Sequence, residues 1–180
     1  VKNRLKVYGL SAEDVKVGDA ENIPYPNNSF DLVYSWGVIH HTPNTIKALE
    51  EIIRVTKIGG EIKIMIYNRH SLYSFYRYLY HGLFKGRPFR TISSILYHHL
   101  ESLGTKAYTL AEVKKILARY PVEVKSLTAN VTNYDLLWNR NTFLRTAAQV
   151  LAGIYGLHRC GWFLTFELKK ISEIKNKLGE

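Results

Sequence analysis

The residue types best suited to chemistry crowd into one stretch, GDAENIPYPNNSFDLVYSWGVIHH, residues 18–41. An ionised aspartate only accepts hydrogen bonds. In an open α/β sheet, ligands bind outside the carboxyl ends of the strands, and Asp19 and Ser35 both fall at such expected ends. Asp19, accepting from an exocyclic amine, and the Ala20 backbone N–H, donating to a ring nitrogen, together have the pattern that reads an adenine edge. The same carboxylate would also serve as a helix cap or loop acid. His40 and His41 follow the second expected strand. Neighbouring residues point apart on a strand or helix, so the pair is a poor metal site and no metal is expected. His41 suits the lining of a cofactor or acceptor pocket. His41 and His70 are the candidate general bases, since histidine titrates nearest neutrality; the sequence does not choose between them.

The elements that must position these residues are legible from pattern. Lys2–Leu10 reads as the end of a helix closed by Gly9, and Asp14–Val17 as a short strand leading into Gly18-Asp19. Phe30–Ser35 is a continuous apolar run, as in a strand covered on both faces. Thr42-Pro43 predicts a helix start with threonine as cap, and Ile46, Leu49, Ile53 and Thr56 continue it at helical spacing until Gly59-Gly60. Glu61–Tyr67 is an isoleucine-rich third strand. Strand, helix and strand within about 40 residues make a parallel crossover unit. Leu72, Tyr76, Leu79 and Leu83 form a helical stripe. Thr109–Glu112 is a capping box opening a helix to about Tyr120. Val122–Leu127, Phe143–Leu157 and Gly161–Leu168 read as strand, helix and strand.

The 180 residues suffice for one domain with a sizeable core. Cys160 is the single cysteine, which excludes an internal disulfide or a cysteine-built zinc site and favours a reducing, cytoplasmic setting. The apolar run Thr146–Leu157 is too short to cross a bilayer. Residues 1–60 carry 7 Lys/Arg and 7 Asp/Glu, so the net charge of +10 resides in residues 61–180. Such a half suits an anionic partner or is simply a solvated surface. The chain opens on Val1, as expected of a processed, engineered or incomplete sequence.

The order Gly-Asp-Ala-Glu, a Pro24-x-Pro26 loop, Asn-Ser-Phe-Asp and an apolar strand resembles the class I S-adenosylmethionine-dependent methyltransferases that act on small molecules. The resemblance continues through SWGVIHHTPNTIKALEEIIRVTKIGGEIKIMIYNR, including the Ala-Leu-x-Glu-x-x-Arg-Val helix and the Gly-Gly turn. It is close for residues 1 to about 68 and looser at 104–109 and in the closing Gly-Trp-Phe-Leu strand. Ile58 departs from the family's proline before the two glycines. The resemblance implies a Rossmann-like, doubly wound, mostly parallel α/β sheet in one domain over 1–180, with strand order 3-2-1-4-5-7-6. It implies that Asp19 accepts from the adenine amino group beside Ala20, that Ser35 meets the methionine end of the cofactor, and that Trp36 and Gly37 wall that end. Asp31, at the far end of its strand, is read as structural. The family's Gly-x-Gly-x-Gly loop and its ribose-binding acid have no counterpart here. The expectation is therefore a chain that begins roughly 60 residues into the domain, lacks the first two strands, and binds cofactor poorly in isolation.

Residues 69–106 interrupt the alternation. They hold Arg69, Arg77, Lys85, Arg87, Arg90 and Lys106 against one acid, Glu101, with tyrosines interleaved. A helical lid over the acceptor is expected, suited to an aromatic, anionic or lipid-like small molecule, with peripheral membrane contact as a further possibility and nucleic acid disfavoured. The rival reading is a noncatalytic, methyltransferase-like remnant that binds a partner or an anionic membrane through this segment.

Overall fold

The computed structural model describes residues 2–138 and 140–174; Val1, Asn139 and 175–180, which the expected domain of 1–180 includes, lie outside the described residues. The elements, in chain order, are α1 (Lys2–Val7), β1 (Phe30–Trp36), a 3-10 turn (Ile39–His41), α2 (Thr45–Val55), β2 (Thr56–Asn68), α3 (Leu72–Tyr78) with a π-helical turn (Leu79–Leu83), α4 (Ile92–His99), β3 (Ala107–Tyr108), α5 (Leu110–Leu117), β4 (Val122–Asn130), α6 (Thr142–Tyr155) and β5 (Phe163–Lys170).

The long strands lie in the order β1-β2-β5-β4, with the short β3 on the end of β2. β1 and β3 run parallel to β2, and β5 runs antiparallel to both β2 and β4. Only β5 therefore opposes the common direction, and the order reproduces the 4-5-7-6 half of the expected sheet. Alternation along β2 explains the layers. Ile62, Ile64 and Ile66 enter a core with Leu49, Ile52 and Ile53 of α2, Val113 and Leu117 of α5, and Leu164, Phe166 and Leu168 of β5. Met65 and Tyr67 face the other way, into a smaller core with Leu96 of α4 and Trp162. β2 is thus covered on both sides at its carboxyl end.

Several boundaries differ from expectation for identifiable reasons. Asp14–Val17 forms no strand; the segment is largely exposed, and Asp19 instead bridges back to Asn22. No ladder partner for it exists among the described residues. β1 is not covered on both faces. It is a sheet edge whose Ser35 points inward while Leu32, Tyr34 and Trp36 stay exposed. The cap of α2 is Asn44, whose side chain accepts from the Lys47 N–H, rather than Thr42. Thr42 is spent earlier, its Oγ1 donating to the Ile39 carbonyl to close the 3-10 turn. Gly59-Gly60 does not end the helix, which stops at Val55. The glycines shape a bulge where the β1–β2 register jumps from Phe30↔Thr56 to Leu32↔Glu61. Gly59 has φ +83°, and a Cβ on Gly60 would lie 2.9 Å from the Asp31 carbonyl oxygen. The Thr109–Glu112 capping box forms as expected, both reciprocal bonds present.

Candidate functional site

The predicted cofactor residues fall in two groups, and only the second lies at a strand's carboxyl end, since no strand precedes Asp19 among the described residues. The first is the loop after α1. Asp19 is exposed and accepts the Glu21 N–H at 2.9 Å through Oδ1, an Asx-type turn that leaves Oδ2 without a hydrogen bond among the described residues. Asp19 and Ala20 line an open cleft of about 510 Å³ shared with Leu5, Val15, Ile23 and Tyr25. The loop is held from beneath by the Glu51–Arg54 pair of α2. Arg54 grips both Glu51 oxygens at 2.7 Å and donates to the carbonyls of Ile23 and Tyr25, while Glu51 accepts the Ile23 N–H. This is the work of the Glu-x-x-Arg pattern on that helix: it fixes the Pro24-x-Pro26 loop. Arg54 beside it holds the Glu51 carboxyl below the usual carboxylate range.

The second group is the end of β1. Ser35 is buried and its Oγ has no hydrogen-bond partner, an unusual state for a buried hydroxyl. Trp36 pairs with Met65 in register, is half-exposed, and stacks on Tyr34 at 5.6 Å. Gly37 has φ +72° and donates its N–H to the Met65 carbonyl; a Cβ there would meet the Met65 methyl at 3.3 Å. These features fit the implied cofactor: an unsatisfied hydroxyl, a backbone position only glycine takes easily, and a carboxylate with a free oxygen. The cleft around Asp19 and Ala20 does not include Ser35, Trp36 or Gly37.

The histidines separate by environment. His40 is fully buried, its ring 4.1 Å from both the His41 and Tyr67 rings, with neither nitrogen hydrogen-bonded. Burial first, then His41 and Lys106, push its pKa down to about 3, so it is neutral. No group of metal-ligating residues occurs among the described residues. His41 is half-buried, and its Nδ1 faces Ser102 Oγ at 2.8 Å and Thr105 Oγ1 at 3.0 Å. Thr105 Oγ1 donates to the Ser102 carbonyl, which leaves the Ser102 hydroxyl free to donate to Thr105 or to His41 Nδ1. With the Ser102 hydroxyl turned to Thr105, both hydroxyls accept from Nδ1–H and the His41 lone pair is on Nε2; a Ser102 hydroxyl turned to Nδ1 gives the other tautomer. Burial lowers its pKa, Glu101 opposing and Lys106 assisting. His70 is exposed, two residues past β2, with only its backbone N–H engaged, to Asn68 Oδ1.

Sequence reasoning missed the partners of His41. Tyr67 donates its hydroxyl to Glu101 at 2.9 Å, and burial and that carboxylate raise its pKa. Lys106 Nζ donates to the Thr42 carbonyl, and its backbone N–H to that of His40. Glu101, Ser102, Thr105 and Lys106 occupy one short loop, whose only signal was the weakly familial run at 104–109.

A family profile described as "Methyltransferase domain" matches residues 2–64, the stretch that holds Asp19, Ala20 and Ser35–Gly37. Residues 2–64 are thus similar to a methyltransferase domain. Over 59 residues the chain is 41% identical to 2-methyl-6-phytyl-1,4-hydroquinone methyltransferase 1 of Oryza sativa, a match over 33% of the chain and 18% of that protein. Over 84 residues it is 32% identical to demethylmenaquinone methyltransferase of Geobacillus kaustophilus, covering 47% and 36%. The chain thus spans well under half the length of these curated relatives. Among solved structures, the [4+2]-cyclase SpnF superposes with TM-score 0.56 at 15% identity, over 95% of this chain and 61% of that one. Geranyl diphosphate C-methyltransferase of Streptomyces coelicolor gives 0.57 at 12%, over 93% and 59%. At such identities the likeness is one of fold.

Proposed function

We propose that this chain belongs to the class I methyltransferases and contributes to S-adenosylmethionine-dependent methyl transfer onto a small-molecule or lipid-like acceptor. The observation that carries the reading is the match of residues 2–64, which encloses every position expected to touch the cofactor. The names of the matched relatives, a phytyl-hydroquinone and a demethylmenaquinone methyltransferase, support an acceptor with an apolar tail.

Asp19 and the Ala20 N–H would hold the adenine edge, and the unsatisfied Ser35 Oγ, with Gly37 beside it, the methionine end. When bound, the cofactor supplies an electrophilic methyl group. The protein's work is then alignment, exclusion of water and, for an acidic acceptor, removal of one proton. His41 is suited to that removal. With Nδ1–H donated to the Ser102 and Thr105 hydroxyls its lone pair is on Nε2, and its lowered pKa keeps it neutral near pH 7. Tyr67, itself bonded to Glu101, stands edge-on to the His41 ring at 5.8 Å.

The test is calorimetric cofactor binding and a methyl-transfer assay with a mixed acceptor panel, on the full-length protein. Asp19→Asn is expected to weaken S-adenosylmethionine binding about tenfold, one charge-assisted hydrogen bond being lost. His41→Gln is expected to leave that affinity intact and lower kcat by about 10²-fold or more. Unchanged affinity in Asp19→Asn would remove the adenine assignment, and an unchanged kcat in His41→Gln would remove the base.

A further inference from the structure

Beyond β2 the chain leaves the sheet through α3 and its π-helical turn and then reverses through Leu83-Phe-Lys-Gly-Arg-Pro-Phe-Arg90. The reversal is tied down. Phe84 N–H donates to the Leu79 carbonyl, Gly86 N–H to Leu83, Arg87 N–H to Gly82, and the Tyr78 hydroxyl to the Pro88 carbonyl at 2.8 Å. A Cβ on Gly82 would lie 3.2 Å from the Tyr78 ring, so the tip packs closely on its own helix. Yet this ordered tip presents Phe84 79% and Phe89 99% exposed, with Leu83 beside them. Its cations Lys85, Arg87 and Arg90 have no ion-pair partner among the described residues. The nearest acid of the segment, Glu101, is engaged with Tyr67, and Arg69 is paired to Glu112. Behind the tip stand more bases: Arg77, and His81 stacked on His99 at 4.3 Å.

We propose that the tip Leu83–Arg90 docks the protein on anionic bilayers, Phe84 and Phe89 entering the interface while Lys85, Arg87 and Arg90 meet lipid phosphates. Two aromatic side chains held out on a fixed backbone, beside three cations without an ion-pair partner among the described residues (Lys85 lies over the Tyr80 ring at 5.5 Å), match the two requirements of peripheral membrane binding: apolar area to insert and charge to attract anionic headgroups. Another exposed apolar surface, α6 with Phe143, Val150 and Ile154, carries a single cation. Its one cation, Arg145, lies over the Trp138 ring, and neighbouring Arg140 over Tyr76. The proposal stands apart from methyl transfer.

Sedimentation with sucrose-loaded vesicles tests it, using phosphatidylcholine alone and phosphatidylcholine mixed with phosphatidylglycerol. Binding is expected only to the anionic vesicles and is expected to fall as salt rises. Phe84→Ser with Phe89→Ser is expected to lower the partition coefficient at least about tenfold. Each of K85Q, R87Q and R90Q is expected to lower it about fivefold. Ile154→Ser on α6 is expected to change nothing. Because these side chains are exposed, circular dichroism and thermal melts of the variants should match the parent. Absence of vesicle binding, equal binding to neutral vesicles, or binding untouched by the phenylalanine substitutions overturns the proposal. So does competition by glycerol phosphate or duplex DNA that depends on the cations but not on the phenylalanines, which would make the tip a soluble-phosphate or nucleic-acid site.

Discussion

At His40 the fold buries an imidazole whose two nitrogens have no hydrogen-bond partner, and this sets a pH dependence of stability. The folded pKa is about 3 and the ordinary value 6.5. Between them the unfolded chain binds the extra proton, so stability is complete above pH 6.5 and is lost as pH falls toward 3. The slope from one such group approaches about 1.4 kcal/mol per pH unit. His40→Leu, close in volume and free of polar atoms, is expected to keep stability at pH 7 within about 1.5 kcal/mol and to flatten that slope. Urea titrations from pH 3.5 to 7.5 check it; a variant as acid-sensitive as the parent would move the effect elsewhere. His41 responds with the same sign but a different readout. Its pKa is lowered, so its base form persists through neutrality, and kcat is expected to hold level above pH 6.5 and to fall only below it. A kcat that rises between pH 6.5 and 8 would speak against His41 as the titrating base. The sequence placed His40 and His41 side by side and singled out His41 as the candidate; their different burial follows from the 3-10 turn, which no periodicity announced.

At the level of elements, most of the fold was readable, because each strand and helix carries its own signal. The isoleucines of β2 alternate, α2 carries its apolar stripe, and Thr109 and Glu112 form their box. The misreadings are cases where a residue's local preference lost to a competing bond or a missing neighbour. Thr42 has a capping hydroxyl but gives it to the preceding turn. Gly59 and Gly60 can end a helix but are taken by the β1–β2 bulge. Asp14–Val17 has strand composition and no ladder to join. The sharpest backbone constraint was unmarked in the sequence. Gly161 enters β5 so close to the end of β4 that a Cβ would lie 2.1 Å from the Asn130 carbonyl carbon and 2.4 Å from the Val131 nitrogen. Backbone cannot yield as a side-chain tip does. Gly161→Ala is expected to cost about 3 kcal/mol or more, whereas Gly153→Ala, with open space around it and a helical backbone, is expected to stabilise by about 0.5–1 kcal/mol. Thermal melts of the two variants should move in opposite directions.

Across the whole molecule, one cation joins the last strand to the loop before the first. Lys170 at the end of β5 is fully buried, and its Nζ donates to the Thr56 carbonyl and Asn28 Oδ1 at 3.0 Å and meets Glu173 at 3.1 Å. Glu173 in turn accepts from Asn28 Nδ2. Nothing in the sequence singles out this lysine among 25 Lys/Arg, because its partners lie 142 and 114 residues away and only the sheet order brings them together. The two charges are not equivalent. Lys170 is enclosed, while the Glu173 side chain is half-exposed, so the cation's stabilisation comes chiefly from the neutral oxygens of Asn28 and Thr56. Lys170→Met fills the channel but leaves those acceptors unmet, and is expected to cost about 2 kcal/mol. Glu173→Gln removes a partly solvated carboxylate and is expected to cost less than about 1 kcal/mol. A double-mutant cycle read by chemical denaturation separates the contributions: the coupling between the two positions should be smaller than the loss from Lys170→Met alone. A coupling as large as that loss would instead make the ion pair the principal tie between β5 and the loop leading into β1.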